Sequence, residues 1–206
     1  MGCAVIDHAL VREKVGVLRD RGTGMEVFRR TLGELSVLVG YEALRGVAEA
    51  EVAVETPMAV CRGSRLAKPV VIVPILRAGL GMADALSAVL PGSRIGHIGV
   101  ARNEATLEPE PYFLKLPPGA GDSTVLVVDP MLATGNSAVH ALDRLKAAGC
   151  REVRLVCLIG APEGVERVGE AHAEVPIFLA ALDDGLDERG YIVPGLGDAG
   201  DRYFGT

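Results

Sequence analysis

At 206 residues the chain is long enough to close one full hydrophobic core, a single domain over 1–206, and its formal charge of −6 argues mildly against a nucleic-acid backbone binder while leaving room for a small basic patch that holds phosphates. Its 49% hydrophobic content, 26 glycines, 12 prolines and lack of tryptophan favour alternating α/β architecture over a sandwich or a bundle. The N-terminus has no basic stretch leading into an apolar one, no apolar run approaches the roughly 18 residues of a membrane span, and Cys3, Cys61, Cys150 and Cys157 have no metal-binding spacing. The expectation is a cytoplasmic, reduced protein with no membrane or nucleic-acid partner.

In chain order, Val5-Ile6 and residues 8–11 read as a short extended lead into a helix over 12–19. Residues 25–46 carry Phe28, Leu32, Leu35, Leu38 and Val39 at helical spacing, with Glu34 and Glu42 outside, which predicts a long N-terminal helical arm. Residues 51–61 alternate weakly, as a hairpin would. Aliphatic runs at 69–76, 93–100, 124–128, 153–159 and 176–180 read as buried strands, separated by helical segments near 82–89, 137–148 and 161–169. Repeated β–α alternation with right-handed crossovers predicts a doubly wound, mostly parallel sheet with helices on both faces. Residues 102–118 have several prolines and little periodicity; so long an irregular span suits a lid or binding loop. The glycine-rich tail from Asp183 reads as loop.

The stretch 125–137 carries the most chemistry. Val125-Leu126-Val127-Val128 is a strand, Asp129 stands at its end, and Pro130 lacks an N–H and so stops the ladder. The turn Ala133-Thr134-Gly135-Asn136-Ser137 then opens a helix whose first amides, beside hydroxyls, make an anion cradle. An ordinary strand–loop–helix connection with a capping Ser or Thr has the same outline. No Lys follows the glycine as in a nucleoside-triphosphate loop, and the stretch lacks G-x-G-x-x-G. Ligands of such sheets lie beyond the carboxyl ends of the strands, which adds residues 76–81, 101–106 and the tail after 182. Arg77, at a strand end ahead of Gly79 and Gly81, is either a bidentate phosphate ligand on a backbone that glycine lets approach closely, or a solvent-facing side chain. Asp183, Asp184, Asp187 and Glu188 read as a solvated rim, and His8, His97, His140 and His172 show no metal spacing.

The run Val128-Asp129-Pro130-Met131-Leu132-Ala133-Thr134-Gly135-Asn136-Ser137 resembles the ribose-5-phosphate signature of type I phosphoribosyltransferases. Pro130, where many relatives have a second acid, is similar to the uracil branch; Asn136 stands where Gly is usual and retains tolerance for left-handed backbone. Pro74-Ile75-Leu76-Arg77-Ala78-Gly79-Leu80-Gly81 looks like that branch's pyrophosphate loop, with a strained or cis peptide before the Arg. Residues 102–113 resemble its flexible hood, and 190–206 resemble its uracil-binding tail nearly residue for residue.

The resemblance implies transfer of a phosphoribosyl group from 5-phospho-α-D-ribose 1-diphosphate to uracil, giving UMP and diphosphate in pyrimidine salvage. It implies donor binding by Arg77, Arg102, Asp129, Pro130, Met131, Leu132, Ala133, Thr134, Gly135, Asn136, Ser137 and Asp198, and uracil binding by Ile192, Gly197, Asp198 and Ala199. Arg77, Arg102 and Asp198 are its catalytic candidates. Asp129 either accepts from ribose hydroxyls or caps the Thr134 amides, and Asp198 is either a carboxylate near the donor's reactive end or a turn aspartate satisfying its own backbone. Mg²⁺ would be held mainly through the diphosphate and water, with no protein metal ligand. Dimer or tetramer formation and activation by GTP are further implications. The rivals are transfer to another base, an RNA-binding regulator, and a non-catalytic module of the same fold.

Overall fold

The computed structural model describes residues 2–102 and 109–206, with side chains outside 101–112. In chain order the elements are β1 (Cys3–Val5), α1 (Ala9–Arg19), α2 (Met25–Ala43), β2 (Glu49–Glu55), β3 (Val60–Leu66), β4 (Val70–Leu76), α3 (Leu80–Val89), β5 (Arg94–Ile95), β6 (His97–Arg102) and β7 (Pro109–Lys115). After a 3₁₀ turn come β8 (Thr124–Val128), β9 (Met131–Leu132), α4 (Asn136–Ala147), β10 (Glu152–Gly160), α5 (Pro162–Ala171), β11 (Ile177–Leu182), β12 (Gly185–Leu186), β13 (Ile192–Val193) and α6 (Ala199–Phe204).

The main sheet runs β1-β11-β10-β8-β4-β6-β7, parallel throughout except for β7. The unbroken aliphatic runs of β4 and β8 follow from burial on both faces. Alternate side chains go opposite ways: Ile72, Leu126 and Val128 join the core under α1, α2 and α3, while Val71, Val73, Val125 and Val127 join the core under α4 and α5. Within α2, Phe28, Leu32, Leu35 and Val39 form the buried stripe expected of them. Gly40 is required there, because a Cβ would stand 2.3 Å from Leu86 Cδ2 on α3. The predicted hairpin is β2–β3, a separate two-stranded antiparallel sheet.

Three expectations are corrected. The start of the first helix lies earlier, at Ala9, because the His8 ring accepts the Leu10 N–H at 3.1 Å and caps the first turn. Residues 109–115, within the span read as irregular, form β7 antiparallel to β6. Pro109 and Pro111 are tolerated because β7 is an edge strand, where a missing N–H costs no ladder bond on the open side. Residues 103–108, the heart of the expected hood, lie outside the described residues. The tail is not loop alone: β12 pairs with β13, and α6 closes the chain against α2.

Candidate active site

The chain leaves β4 toward β6 on one side, through α3, and leaves β8 toward β10 and β11 on the other, through α4 and α5. The carboxyl ends of β4 and β8 therefore diverge at a topological switch point, where a doubly wound sheet opens a crevice. Arg77 and Asp129 are the residues that follow these two ends.

Pro130 is corrected from a strand terminator to a pause. Asp129 N–H still donates to Val156 O at 3.2 Å, Pro130 O accepts from the N–H groups of Leu158 and Ile159 at 3.1 and 3.0 Å, and β9 rejoins β10. Pro130 is buried and lines neither pocket described below. The Asp129 carboxylate lies within reach of the Met131 N–H. Burial pushes its pKa up to about 7, the Met131 N–H opposes that rise, and the charge of Asp198 adds to it.

Asp129, Met131, Thr134, Gly135, Asn136, Ser137 and the buried Cys157 line a small cavity of about 110 Å³ at the start of α4. Gly135, not Asn136, takes the left-handed conformation (φ +79°), and a Cβ there would lie 2.9 Å from Gly164 O. As a glycine at the N-cap it has no side chain to offer the first-turn amides, and among the described residues no side-chain capping bond is made there. That distinguishes the cradle from the ordinary capped connection. Leu132, though 2% exposed, contributes to the cavity wall.

A second pocket of about 230 Å³ adjoins the first, sharing Asp129, Met131 and Ala133 with it. Ala78, Tyr191, Ile192, Gly197, Asp198 and Ala199 complete most of its lining. Asp198 caps α6, its Oδ1 accepting the Asp201 N–H at 2.9 Å, so the turn-aspartate role is real and leaves Oδ2 without a hydrogen-bond partner among the described residues. Residues 195–200 spell G-x-G-x-x-G, but they run from just after a two-residue strand outside the main sheet into the first turn of a six-residue helix, which is not the dinucleotide setting.

Arg77 follows a cis Leu76–Arg77 peptide, as expected of that loop. Its exposed guanidinium lies 3.9 Å from the Asp201 carboxylate and 5.6 Å from the centre of the Phe204 ring, so it rests against α6 at the crevice edge. The glycines after it serve packing rather than ligand approach: a Cβ on Gly79 would meet Val128 O at 2.4 Å, and one on Gly81 would meet the Tyr203 ring at 2.4 Å. Arg102 ends β6, and its side chain lies outside those described.

The structure thus gathers Asp129, Met131, Leu132, Ala133, Thr134, Gly135, Asn136 and Ser137 around one cavity, and Ile192, Gly197, Asp198 and Ala199 around its neighbour. Ala78 and Tyr191, inside the loop and tail stretches but not named as site residues, join the second wall, and Cys157 joins the first with nothing local to mark it. Asp183, expected in a solvated rim, is instead buried and paired with Arg19. A pairing so remote along the chain leaves no local signal. All four cysteines are free, no helix among the described residues is long and apolar enough to cross a membrane, and no group of three His, Cys, Asp or Glu among them could hold a metal ion.

A doubly wound sheet whose switch point opens onto the start of α4, with a glycine-rich tail folded over that crevice, is the architecture of the type I phosphoribosyltransferases. Residues 5–206 match the family model described as uracil phosphoribosyltransferase. The chain is 50% identical to a uracil phosphoribosyltransferase of Clostridium beijerinckii over 202 residues, covering 98% of this chain and 97% of that protein. It is also 50% identical to one of Streptococcus pyogenes over 205 residues, covering 99% and 98%. The solved structure of the AQ2163 protein from Aquifex aeolicus superposes with a TM-score of 0.91 at 40% identity, covering 98% of this chain and 97% of that one. A hypoxanthine-guanine phosphoribosyltransferase from Bacillus anthracis, at 12% identity and TM-score 0.51, shares the fold alone; it covers 76% of this chain and 79% of its own. The chain belongs to the uracil phosphoribosyltransferase family and is a pentosyltransferase.

Proposed function

We infer that the chain converts uracil and 5-phospho-α-D-ribose 1-diphosphate to UMP and diphosphate in pyrimidine salvage, with the two adjoining pockets dividing the work. The observation that carries this division is their shared wall: Asp129, Met131 and Ala133 border both the cradle at α4 and the pocket under the tail. The 5-phosphate sits on the uncapped first-turn amides of α4 and the hydroxyls of Thr134 and Ser137, where the helix field adds roughly 0.3–2 kcal/mol. Asp129 takes the ribose hydroxyls between the pockets. Uracil lies against Ile192, Gly197, Asp198 and Ala199, and backbone N–H and C=O groups there match its edge; a base of the wrong pattern leaves buried polar groups unpaired.

Positioning and charge stabilisation do most of the catalysis. The bond from C1′ to the diphosphate oxygen breaks with its electron pair going to the diphosphate, the bond from uracil N1 to C1′ forms, and the N1 proton passes to the departing diphosphate or to water at the crevice. Arg77 and Arg102 receive the departing diphosphate. The residues present fit a hydrated Mg²⁺ carried chiefly by the donor: Asp198 offers at the crevice a carboxylate oxygen, Oδ2, that the α6 cap does not use. When bound, the ion supplies charge neutralisation to the leaving diphosphate.

Self-association is supported by the β2–β3 hairpin, which holds Met58 and Val60 at 93% and 70% exposure. Activation by GTP rests on the family resemblance. The test is an assay of purified protein with donor, Mg²⁺ and each free nucleobase in turn, with and without GTP. UMP formation with uracil is the expected result; its absence would sink the reading.

A further inference from the structure

The tail that walls the uracil pocket is anchored outside that pocket by an ion pair whose acid is buried. Arg19, the last residue of α1, meets Asp183, the first residue after β11. Arg19 Nη1 donates to Asp183 Oδ2 at 2.7 Å, and Nη2 donates to Oδ1, so the fork is bidentate. The Asp183 side chain is 2% exposed. Both partners then turn to one residue of the tail: Arg19 Nη1 donates to Gly195 O at 2.9 Å, and Gly195 N–H donates to Asp183 Oδ2 at 2.8 Å. The main chain of Gly195 is thereby fully paired. Its φ of +56° and an approach of 2.1 Å between a Cβ and Ile192 O admit no side chain there. The next carbonyl, Leu196 O, accepts from Arg202 Nη1 at 2.8 Å, and that guanidinium also reaches Leu18 O and Asp20 O around the end of α1.

Gly195 lies between Ile192 and Gly197, in the stretch 193–196 that joins the two parts of the tail bordering the pocket, 190–192 and 197–200. The geometry points to Arg19 and Asp183 as positioning residues for the nucleobase: by occupying the main chain of Gly195, they set the orientation in which the flanking groups at Ile192 and Gly197–Ala199 meet uracil. Neither side chain borders the uracil pocket or the phosphate cradle. Loosening the pair therefore acts on the nucleobase side of the site and leaves the cradle at α4 unchanged.

This rests on the placement of uracil under the tail, and the experiment separates the two. Wild type is assayed first; failure to form UMP from uracil overturns that placement. With wild type active, Asp183→Asn and Arg19→Lys are compared in steady-state kinetics with both substrates varied, folding being monitored by circular dichroism. Asp183→Asn keeps the shape but removes the charge; Arg19→Lys keeps the charge but loses the fork. The expected result is a uracil KM raised at least tenfold with donor KM within twofold of wild type, the lysine variant showing the smaller rise. A general structural role would move both KM values and kcat together, and that outcome, or an unchanged uracil KM in folded variants, overturns the proposal. Should Asp183→Asn fail to fold, Arg19→Lys carries the decision by the same criterion.

Discussion

Asp129 and Asp198, 69 residues apart in the chain, border one pocket, and the charge of Asp198 adds to the burial that raises the Asp129 pKa to about 7. One acid follows the central strand β8, and the other caps the terminal helix α6. Their nearness comes from the tail folding back over the switch point.

A pH dependence of stability follows. Asp129 has a folded pKa of about 7 against 3.8 unfolded, so between these values the folded state binds more protons. Its favourable contribution is complete below about pH 4 and is lost as pH rises through 7. Partial access from the crevice lowers the full electrostatic value, leaving an effect on the order of 1–3 kcal/mol. Asp129→Asn removes the dependence, so its stability relative to wild type rises between pH 5 and pH 8. Urea unfolding of both proteins without donor measures this; an equal difference at the two pH values would show that Asp129 is ionised throughout.

Asp198→Asn should cut turnover at least tenfold while the protein stays folded. The amide oxygen still accepts the Asp201 N–H, so the cap on α6 survives and only the charge at the crevice is lost. Steady-state kinetics alongside a thermal melt separates the two effects, and wild-type turnover would remove Asp198 from the catalytic residues.

Gly135→Ala places a Cβ at φ +79° and 2.9 Å from Gly164 O. The left-handed conformation alone costs about 1–2 kcal/mol, and the backbone contact forces α4 and α5 apart. Stability should fall by about 1–3 kcal/mol, and donor KM should rise more than uracil KM, because the cradle and not the tail is displaced. A rise confined to uracil KM would place the donor phosphate elsewhere.

Met58→Asp tests self-association through the hairpin. A charge at a position 93% exposed costs a monomer almost nothing, whereas inside an interface it is buried without a partner. Sedimentation equilibrium should show a smaller fraction of assembled protein at micromolar concentration; an unchanged distribution would place the interface away from the hairpin tip.

Much of this protein is determined by its sequence alone. The valine-rich runs of β4 and β8 can be satisfied only by burial on both faces, the stripe from Phe28 to Val39 only by a helix, and residues 129–138 contain every lining residue of the cradle but Cys157. These features are local, so periodicity and composition disclose them. The tertiary structure decided what depends on distant partners. Pro109 and Pro111 fit a strand because it lies at the sheet edge, Gly79 and Gly81 make room for Val128 and Tyr203, and Pro130 hands the chain back to β10. Asp183 changes from an apparent rim residue into a buried anchor because Arg19, 164 residues earlier, arrives to neutralise it. The protonation of Asp129 is decided the same way, by burial and by a carboxylate from the far end of the chain, since charge energies depend on distance and surroundings in space.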